Sequence, residues 1–145
     1  MDLPCRRFGR TNLKMPVLSL GGMRFQKSWD DLKSPEISQI EQKKVENILN
    51  LAYEFGLNHI ETARYYGTSE MQLGIGFKSI NKVPKIIQTK IPPNRDPKVF
   101  EEELLKSFEK LQVKKIDLLT IHGINTPGHL HQAVRDEGCL NILKK

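Results

Sequence analysis

The chain has 145 residues, of which 38% are hydrophobic and 28% charged, so its length and composition suit one ordinary globular domain. It contains no apolar run long enough to cross a membrane, and no apolar segment follows the charges of Met1–Arg7, so we expect neither a membrane span nor a secretory signal. Its two cysteines, Cys5 and Cys139, form no disulfide framework and no metal-ligand spacing, which indicates a cytoplasmic protein with free thiols.

The formal net charge of +6 allows two interpretations. Lysines and arginines are scattered and often lie near glutamates, as where Glu101–Glu103 precede Lys106, and this favours a solvated surface. A general attraction for phosphate-bearing ligands is the alternative. Because no basic stripe is interleaved with aromatic residues, we expect no nucleic-acid partner.

The first part of the chain predicts a small hairpin, a buried strand, a loop and a helix. Thr11-Asn12 suits a turn between two short strands, and Val17–Leu20 before Gly21-Gly22 suits a buried strand that meets a bend. Residues 25–39 are mixed and polar and predict a loop. Residues 40–55 predict a helix that ends at Gly56, with one apolar stripe formed by Val45, Ile48, Leu49, Ala52 and Phe55.

The rest of the chain repeats a strand-then-helix order. Strands are predicted at 58–61, within 83–90 and at 116–121, each followed by a helical pattern. Thr68 or Ser69 suits the start of the second helix, whose apolar face would be Leu73, Phe77 and Ile80. Asp96-Pro97 suits the start of the third helix, whose apolar face would be Phe100, Leu104, Leu105, Phe108 and Leu111.

Strand starts near residues 17, 58, 86 and 116 predict an α/β fold with parallel strands and right-handed crossovers. Two architectures fit this order, the doubly wound sheet and the (β/α)8 barrel. No Gly-x-Gly-x-x-Gly motif follows the first strand, which disfavours the dinucleotide-binding doubly wound fold.

Chemically useful side chains follow the predicted strands at their carboxyl ends, where a (β/α)8 barrel places its active site. Glu61 ends the second strand and leads to Tyr65-Tyr66, Lys90 ends the third strand, and His122 ends the fourth. Such a set suits carbonyl reduction, because a tyrosine with a lowered pKa can donate a proton to the developing oxyanion. A neighbouring ammonium lowers that pKa, a carboxylate keeps a buried lysine charged, and a histidine can orient the carbonyl.

Three stretches resemble the aldo-keto reductase family. Phe8–Lys14 together with Leu20–Gly22 is similar to the family's opening. The stretch 56–70, GLNHIETARYYGTSE, resembles the family pattern Asp-Thr-Ala-x-x-Tyr-Gly-x-Ser-Glu. Glu61 stands where most members have aspartate, a departure that resembles a bacterial Glu-Thr-Ala-Arg-x-Tyr-Gly subgroup. Some members of that subgroup carry an iron–sulfur module, but this chain has no cysteine cluster.

The resemblance implies the fold, the activity and the site. It implies an α/β fold of the (β/α)8 TIM-barrel type in which residues 1–145 form a partial barrel domain, the N-terminal half with about four βα units. It implies reduction of a small-molecule aldehyde or ketone with NADPH, or alternatively NADH. By resemblance the catalytic residues are Tyr66 as proton donor, Lys90, Glu61 and His122, and the residues near the nicotinamide are Gly22, Met23 and Arg24.

Several alternatives stay open. Tyr65 competes with Tyr66 for the donor role, although only Tyr66 has the motif's spacing. His59 is expected to be structural, and no metal site is expected at His129 and His131, because no carboxylate or cysteine clusters with them. Since the resemblance covers only half of the family's length, the chain could also be a truncated, non-catalytic fragment or binding module. Self-association through the open half-barrel is a further alternative.

Overall fold

A computed structural model of the protein describes residues 3–33 and 36–144, so both ends of the expected domain 1–145 lie outside the described residues. An antiparallel hairpin is formed by β1 (Cys5–Arg7) and β2 (Lys14–Pro16). A parallel sheet follows, whose strands lie in the order β3 (Leu20–Gly21), β4 (His59–Glu61), β5 (Ile86–Ile91) and β6 (Leu118–Ile121). Residues 8–13 connect these two strands and include Thr11-Asn12, but the turn itself lies at Gly9-Arg10, where the N–H of Thr11 donates to the carbonyl of Phe8.

A helix follows each parallel strand. In chain order the helices are α1 (Gln39–Glu54), α2 (Ser69–Ser79), α3 (Pro97–Leu111) and α4 (Pro127–Val134), with a final short helix α5 (Cys139–Ile142) and a single 3₁₀ turn at Met23–Phe25. Four parallel βα units in succession confirm the α/β class and agree with half of a (β/α)8 barrel. None of the helices in the described part of the chain is long and apolar enough to cross a membrane.

Local sequence features set the helix boundaries. The side chain of Ser38 accepts a hydrogen bond from the backbone of Glu41, and the Glu41 side chain accepts one from the backbone of Ser38, so α1 begins with a capping box. Gly56 follows α1 with φ of 75°, the left-handed conformation that ends many helices. Asp96 caps α3 by accepting from the N–H of Lys98, as expected.

The main core lies between the sheet and helices α1 and α2. Leu49 and Leu73 are fully buried there, from α1 and α2 respectively. The strands contribute Ile60 and Ile87, and α3 contributes Leu111. Burial on this scale removes each side chain from water and stabilises the fold by about 1.5–3 kcal/mol per large apolar residue.

Three details of the expected pattern were wrong. The strand expected from Val17 begins only at Leu20, and Val17 and Leu18 are half exposed. The N–H of Val17 instead bonds to the carbonyl of Pro4, which extends the hairpin and not the parallel sheet. On the helices, Ile48, Phe55 and Leu105 were expected on buried faces but are exposed, because these faces are wider than the surface that the neighbouring elements cover.

Gly74 allows α2 and α3 to pack closely. A Cβ atom at this position would lie 2.8 Å from the backbone carbon of Leu111 and closer still to the carbonyl oxygen of Lys110. Backbone atoms cannot move aside as a flexible side chain can. The glycine that weakens α2 by its low helix propensity is therefore required by the packing of its neighbour.

We expect Gly74→Ala to lower the free energy of unfolding by about 1–3 kcal/mol, because the added methyl group overpacks the α2–α3 contact. Gly128→Ala in α4 is the matched control, since its Cβ would meet its nearest atom at 3.7 Å. Helix propensity alone should make that control neutral or more stable, by up to about 1 kcal/mol. Urea denaturation followed by circular dichroism measures both, and equal effects of the two variants would contradict this account.

Candidate active site

Parallel pairing brings the carboxyl ends of the strands to one edge of the sheet. Glu61 is the last residue of β4, Lys90 lies in β5, and His122 directly follows β6. Tyr66 lies in the loop between β4 and α2. The four residues expected to be catalytic therefore lie at the same edge, as the barrel architecture requires.

Lys90 is the centre of this cluster. Its Nζ forms an ion pair with Oε1 of Glu61 and donates hydrogen bonds to the Tyr66 hydroxyl at 3.0 Å and to the Thr62 carbonyl at 3.1 Å. The ammonium also lies 4.5 Å from the centre of the Tyr66 ring. The side chains of Lys90 and Glu61 are only 16% and 24% exposed, so water screens the pair weakly.

Burial and charge determine the protonation of two of these groups. Burial lowers the pKa of Lys90. The Glu61 carboxylate pairs with Nζ and so favours the charged form of the lysine. Burial also lowers the pKa of His122, and the positive charge of Lys90 lowers it further. At neutral pH His122 is therefore a neutral imidazole, which donates through one ring nitrogen and accepts through the other.

Aromatic rings surround the Tyr66 side chain. The His122 ring lies 5.7 Å from the Tyr66 ring at 85°, and the Trp29 ring lies 6.5 Å from it at 82°, both in edge-to-face geometry. Tyr65, the competing tyrosine, is 54% exposed and contributes instead to a groove of 310 Å³ beside His122. Pro92 and Pro93 line the same groove. Of the two tyrosines, only Tyr66 has a hydroxyl hydrogen-bonded to Lys90.

The three residues expected near a nicotinamide follow β3 but lie in different surroundings. Gly22 is buried, and a Cβ there would lie 3.0 Å from the Glu61 carbonyl oxygen and 3.0 Å from Oγ of Ser69. Met23 is 38% exposed. Arg24 is exposed and lines a separate groove against α1. The structure thus brings the four expected catalytic residues together, and of these three the N–H of Gly22 donates to the Glu61 carbonyl at 2.6 Å, while Arg24 lines the separate groove.

A hydrogen-bonded polar chain crosses the sheet one layer below the site. His59 is buried, with Nδ1 2.6 Å from Oγ of Ser19 and Nε2 3.1 Å from Oε1 of Gln88. Gln88 in turn donates to the hydroxyl of Thr120 at 3.0 Å. Burial lowers the pKa of His59, so it too is neutral, and its two bonded nitrogens agree with the expected structural role.

The remaining histidines lie away from this cluster. Nδ1 of His129 is 2.9 Å from the Gly123 carbonyl, and His131 is exposed on α4. Within residues 3–33 and 36–144, no three histidine, cysteine, aspartate or glutamate side chains are grouped so that they could hold a metal ion.

Two residues beside the site were missed by the sequence analysis. Trp29 is the chain's single tryptophan and lies in the loop after β3, but no pattern in the sequence connects it with Tyr66. Arg64, two residues before Tyr66, is only 4% exposed and contacts three carboxylates. Its place inside the ETARYYG motif was the signal that could have found it.

The sequence pattern of the aldo/keto reductase family matches residues 17–144. This chain belongs to that family. The match covers most of the chain, including Glu61, Tyr66, Lys90 and His122.

Solved structures agree with this assignment at the level of the fold. A structure described as an aldo-keto reductase from Pseudomonas aeruginosa matches with a TM-score of 0.76 and 24% identity, covering 99% of this chain and 57% of that one. A thermostable aldo-keto reductase in complex with the inhibitor epalrestat matches with a TM-score of 0.63 and 23% identity, covering 90% and 49%. An aldo/keto reductase from Klebsiella pneumoniae in complex with NADP and acetate matches with a TM-score of 0.60 and 18% identity, covering 82% and 39%. The chain thus spans about half the length of these relatives.

We expect Lys90→Met to raise the pKa of His122, because the substitution removes a positive charge that opposes protonation of the imidazole. In the wild type that pKa should lie below the ordinary value of 6.5, so His122 gains its proton only at a lower pH than an exposed histidine does. Titration of the imidazole signals by NMR measures both values, with His122→Asn for assignment.

Lys98→Met, at an exposed lysine on α3, is the control and should leave the pKa of His122 unchanged. A pKa of His122 that stays constant or falls in Lys90→Met would show that the two side chains do not interact as described.

Proposed function

We propose that this chain carries the proton-transfer part of a site that reduces an aldehyde or ketone to an alcohol with NADPH. One observation carries the proposal: Nζ of Lys90 donates to the Tyr66 hydroxyl at 3.0 Å while Glu61 pairs with the same ammonium. An ammonium at hydrogen-bond distance stabilises the tyrosinate that remains when a tyrosine gives up its proton.

Each residue has a distinct role in the proposed reaction. Reduced nicotinamide, when bound, supplies the hydride that adds to the carbonyl carbon. The Tyr66 hydroxyl gives its proton to the carbonyl oxygen, on which negative charge develops, and the ammonium of Lys90 stabilises the tyrosinate that remains. Glu61 holds that ammonium in place and balances its charge.

His122 is proposed to orient the substrate. Its ring lies beside that of Tyr66, and because its pKa is lowered, it donates a hydrogen bond as a neutral group. A neutral donor polarises the carbonyl without competing with Tyr66 as the source of the proton. The adjoining groove of Tyr65, Pro92 and Pro93 offers an aromatic and apolar wall for the substituent of a small carbonyl compound.

The cofactor assignment rests on the same edge of the sheet. Tyr66, Lys90 and His122 act on the carbonyl group of the substrate, and a hydride donor has to lie beside that group. Gly22, Met23 and Arg24 follow β3 at its carboxyl end, and we propose that they hold this part of the cofactor. We favour NADPH over NADH, and the NADP in the Klebsiella pneumoniae relative supports that choice.

We take residues 1–145 as one partial barrel domain that works in the cytoplasm. Both cysteines are free, Cys5 exposed and Cys139 buried, as suits a reducing compartment.

A second candidate is a non-catalytic fragment or binding module with the same fold. The observation that favours it is the covered length, since the chain spans 57% of the Pseudomonas aeruginosa relative. The two candidates differ in turnover and not in fold.

Tyr66→Phe should lower kcat for aldehyde reduction by about 100-fold or more, because it removes the proton donor and leaves the ring. The measurement is NADPH consumption with a panel of aldehydes. Tyr65→Phe is the matched variant, and it should retain most of the activity because its hydroxyl is not bonded to Lys90. Full activity in Tyr66→Phe would overturn the assigned donor, and no NADPH consumption by the wild-type chain would favour the second candidate.

The open edges of the sheet support self-association of the 145-residue chain. Within the described residues, β3 and β6 each pair on one side only. On the outward side of α1, an exposed apolar stripe is formed by Ile40, Ile48, Leu51 and Phe55. Unpaired strand edges and an apolar stripe both favour burial against another molecule.

Sedimentation of the 145-residue chain should therefore give about twice the mass of 16.7 kDa. Leu51→Lys should shift it to the monomer, because a charge in the apolar stripe opposes burial. Lys98→Glu, at an exposed position of α3 away from the stripe, is the control and should remain a dimer. A wild-type chain that is monomeric at every concentration would reject self-association without affecting the proposed chemistry.

A further inference from the structure

Arg64 is a buried cation surrounded by carboxylates. Only 4% of the residue is exposed. Its Nη2 donates to Oδ2 of Asp31 at 2.6 Å, and its Nε lies 2.8 Å from Oε2 of Glu103, close enough for an ion pair but not aligned for a hydrogen bond. Glu70 is more distant, with Oε2 4.0 Å from Nη1. Asp31, which also pairs with Lys110 at 2.6 Å, is the closest partner.

A buried guanidinium has few ways to replace a lost partner. Its charge must be balanced inside the protein, because water does not reach it. Burial opposes the charge of Arg64, but the hydrogen bond and negative charge of Asp31, with the charges of Glu70 and Glu103, outweigh burial and raise its pKa. The planar guanidinium fixes the directions in which these partners can lie, so the cluster has one preferred geometry.

This cluster is connected to Lys90 through the backbone. The N–H of Arg64 donates to the carbonyl of Lys90 at 2.9 Å. Thr89, the preceding residue of β5, donates its hydroxyl to Oε1 of Glu70 at 2.6 Å. Since side chains alternate along a strand, Thr89 points toward the ion cluster while Lys90 points toward Tyr66. The peptide that carries the lysine is thus held from the side opposite the site.

The same cluster is connected to Trp29 through Asp31. We define residues 26–33 as the Trp29 loop. Before Trp29, the N–H of Lys27 donates to the hydroxyl of Thr68 at 2.6 Å, and after it, Asp31 is held by Arg64. Trp29 itself is 63% exposed. An indole with so much exposed surface gains little from burial, so the anchors on either side of it determine where it lies.

We propose that Arg64 is a positioning residue of the site, which holds the Trp29 loop against Tyr66 through Asp31 while its backbone N–H holds the strand that carries Lys90. The effect on turnover rests on the proposed function. The placement of Trp29 does not, because it follows from the anchors on either side of the indole, Lys27 with Thr68 and Asp31 with Arg64.

Asp31→Asn tests the proposal with little risk to the fold, because the Asp31 side chain is 44% exposed and asparagine has nearly its shape. Trp29 is the chain's single tryptophan, so one indole N–H signal in an NMR spectrum reports on the loop. Asp31→Asn weakens the contacts of this side chain with Arg64 and Lys110, both of which are charge-assisted. The population of molecules in which the Trp29 loop is detached from Arg64 should therefore rise by about tenfold. The indole signal should move toward the position of free tryptophan, and its heteronuclear NOE should fall.

Asp30→Asn is the matched control. Asp30 is the neighbouring residue of the same type, and its carboxylate contacts only the Ser28 hydroxyl, at 3.4 Å, among the side chains of the described residues. This variant should leave the indole signal and its NOE unchanged. Arg64→Lys keeps the charge but loses the planar arrangement of donors, and it should give the same change as Asp31→Asn. A wild-type indole signal in Asp31→Asn would overturn the proposal.

Turnover separates this proposal from the proposed function. In a protein that reduces aldehydes, Asp31→Asn should lower kcat/KM and Asp30→Asn should not. A chain without turnover whose Trp29 is released in Asp31→Asn would reject the proposed function and support the positioning role. Turnover that depends on Tyr66 but is identical in Asp31→Asn, with an unchanged indole signal, would reject the positioning role alone.

Discussion

The ion pair between Glu61 and Lys90 is the interaction on which the site depends. A lysine in this partly buried position would be driven toward its neutral form by burial, and the carboxylate opposes that tendency. The pair also fixes where Nζ lies, and from that point the ammonium reaches the Tyr66 hydroxyl. It forms because β4 and β5 are adjacent and parallel, which brings the end of one strand beside the lysine of the next. Glutamate serves here as the carboxylate, in the place where most of the family has aspartate.

A second ionic network lies behind the first. Arg64 and its carboxylates occupy the space between the loop after β4 and helices α2 and α3, on the side of β5 away from Tyr66. The two networks meet at the backbone of Lys90, which accepts a hydrogen bond from Arg64. Removing one partner of a buried ion pair strongly destabilises the fold, because it leaves the other charge without a counter-charge. The intact pair adds little net stability, since desolvation offsets the attraction. Both networks therefore favour a single geometry of the site more than they stabilise the fold.

The partial barrel accounts both for the cluster of proposed proton-transfer residues and for the unpaired strand edges. Four βα units suffice to assemble the proposed proton-transfer residues, since these lie in β4, in β5, directly after β6 and in the loop after β4. The same four units leave β3 and β6 with one unpaired edge each within the described residues. The chain spans about half the length of its structural relatives. The proposed chemistry depends on residues within these four units, whereas the unpaired edges of β3 and β6 require a further contact to be covered.

The sequence by itself determined the order of strands and helices, the start of α3 and the end of α1, because periodicity, Asp96-Pro97 and Gly56 are local features. The ETARYYG motif and the strand ends likewise pointed to Glu61, Tyr66, Lys90 and His122. For α2 it offered Thr68 or Ser69 as the cap, but Thr68 makes no side-chain capping bond. It did not determine that Val17 and Leu18 belong to the hairpin side, since an apolar run has the same pattern whichever strand it joins. Only the tertiary structure decided that Trp29 faces Tyr66 and that Arg64 joins Asp31, Glu70 and Glu103. Those contacts join residues far apart in the chain, and their partners are fixed by how the helices pack on the sheet, which no short stretch of sequence encodes.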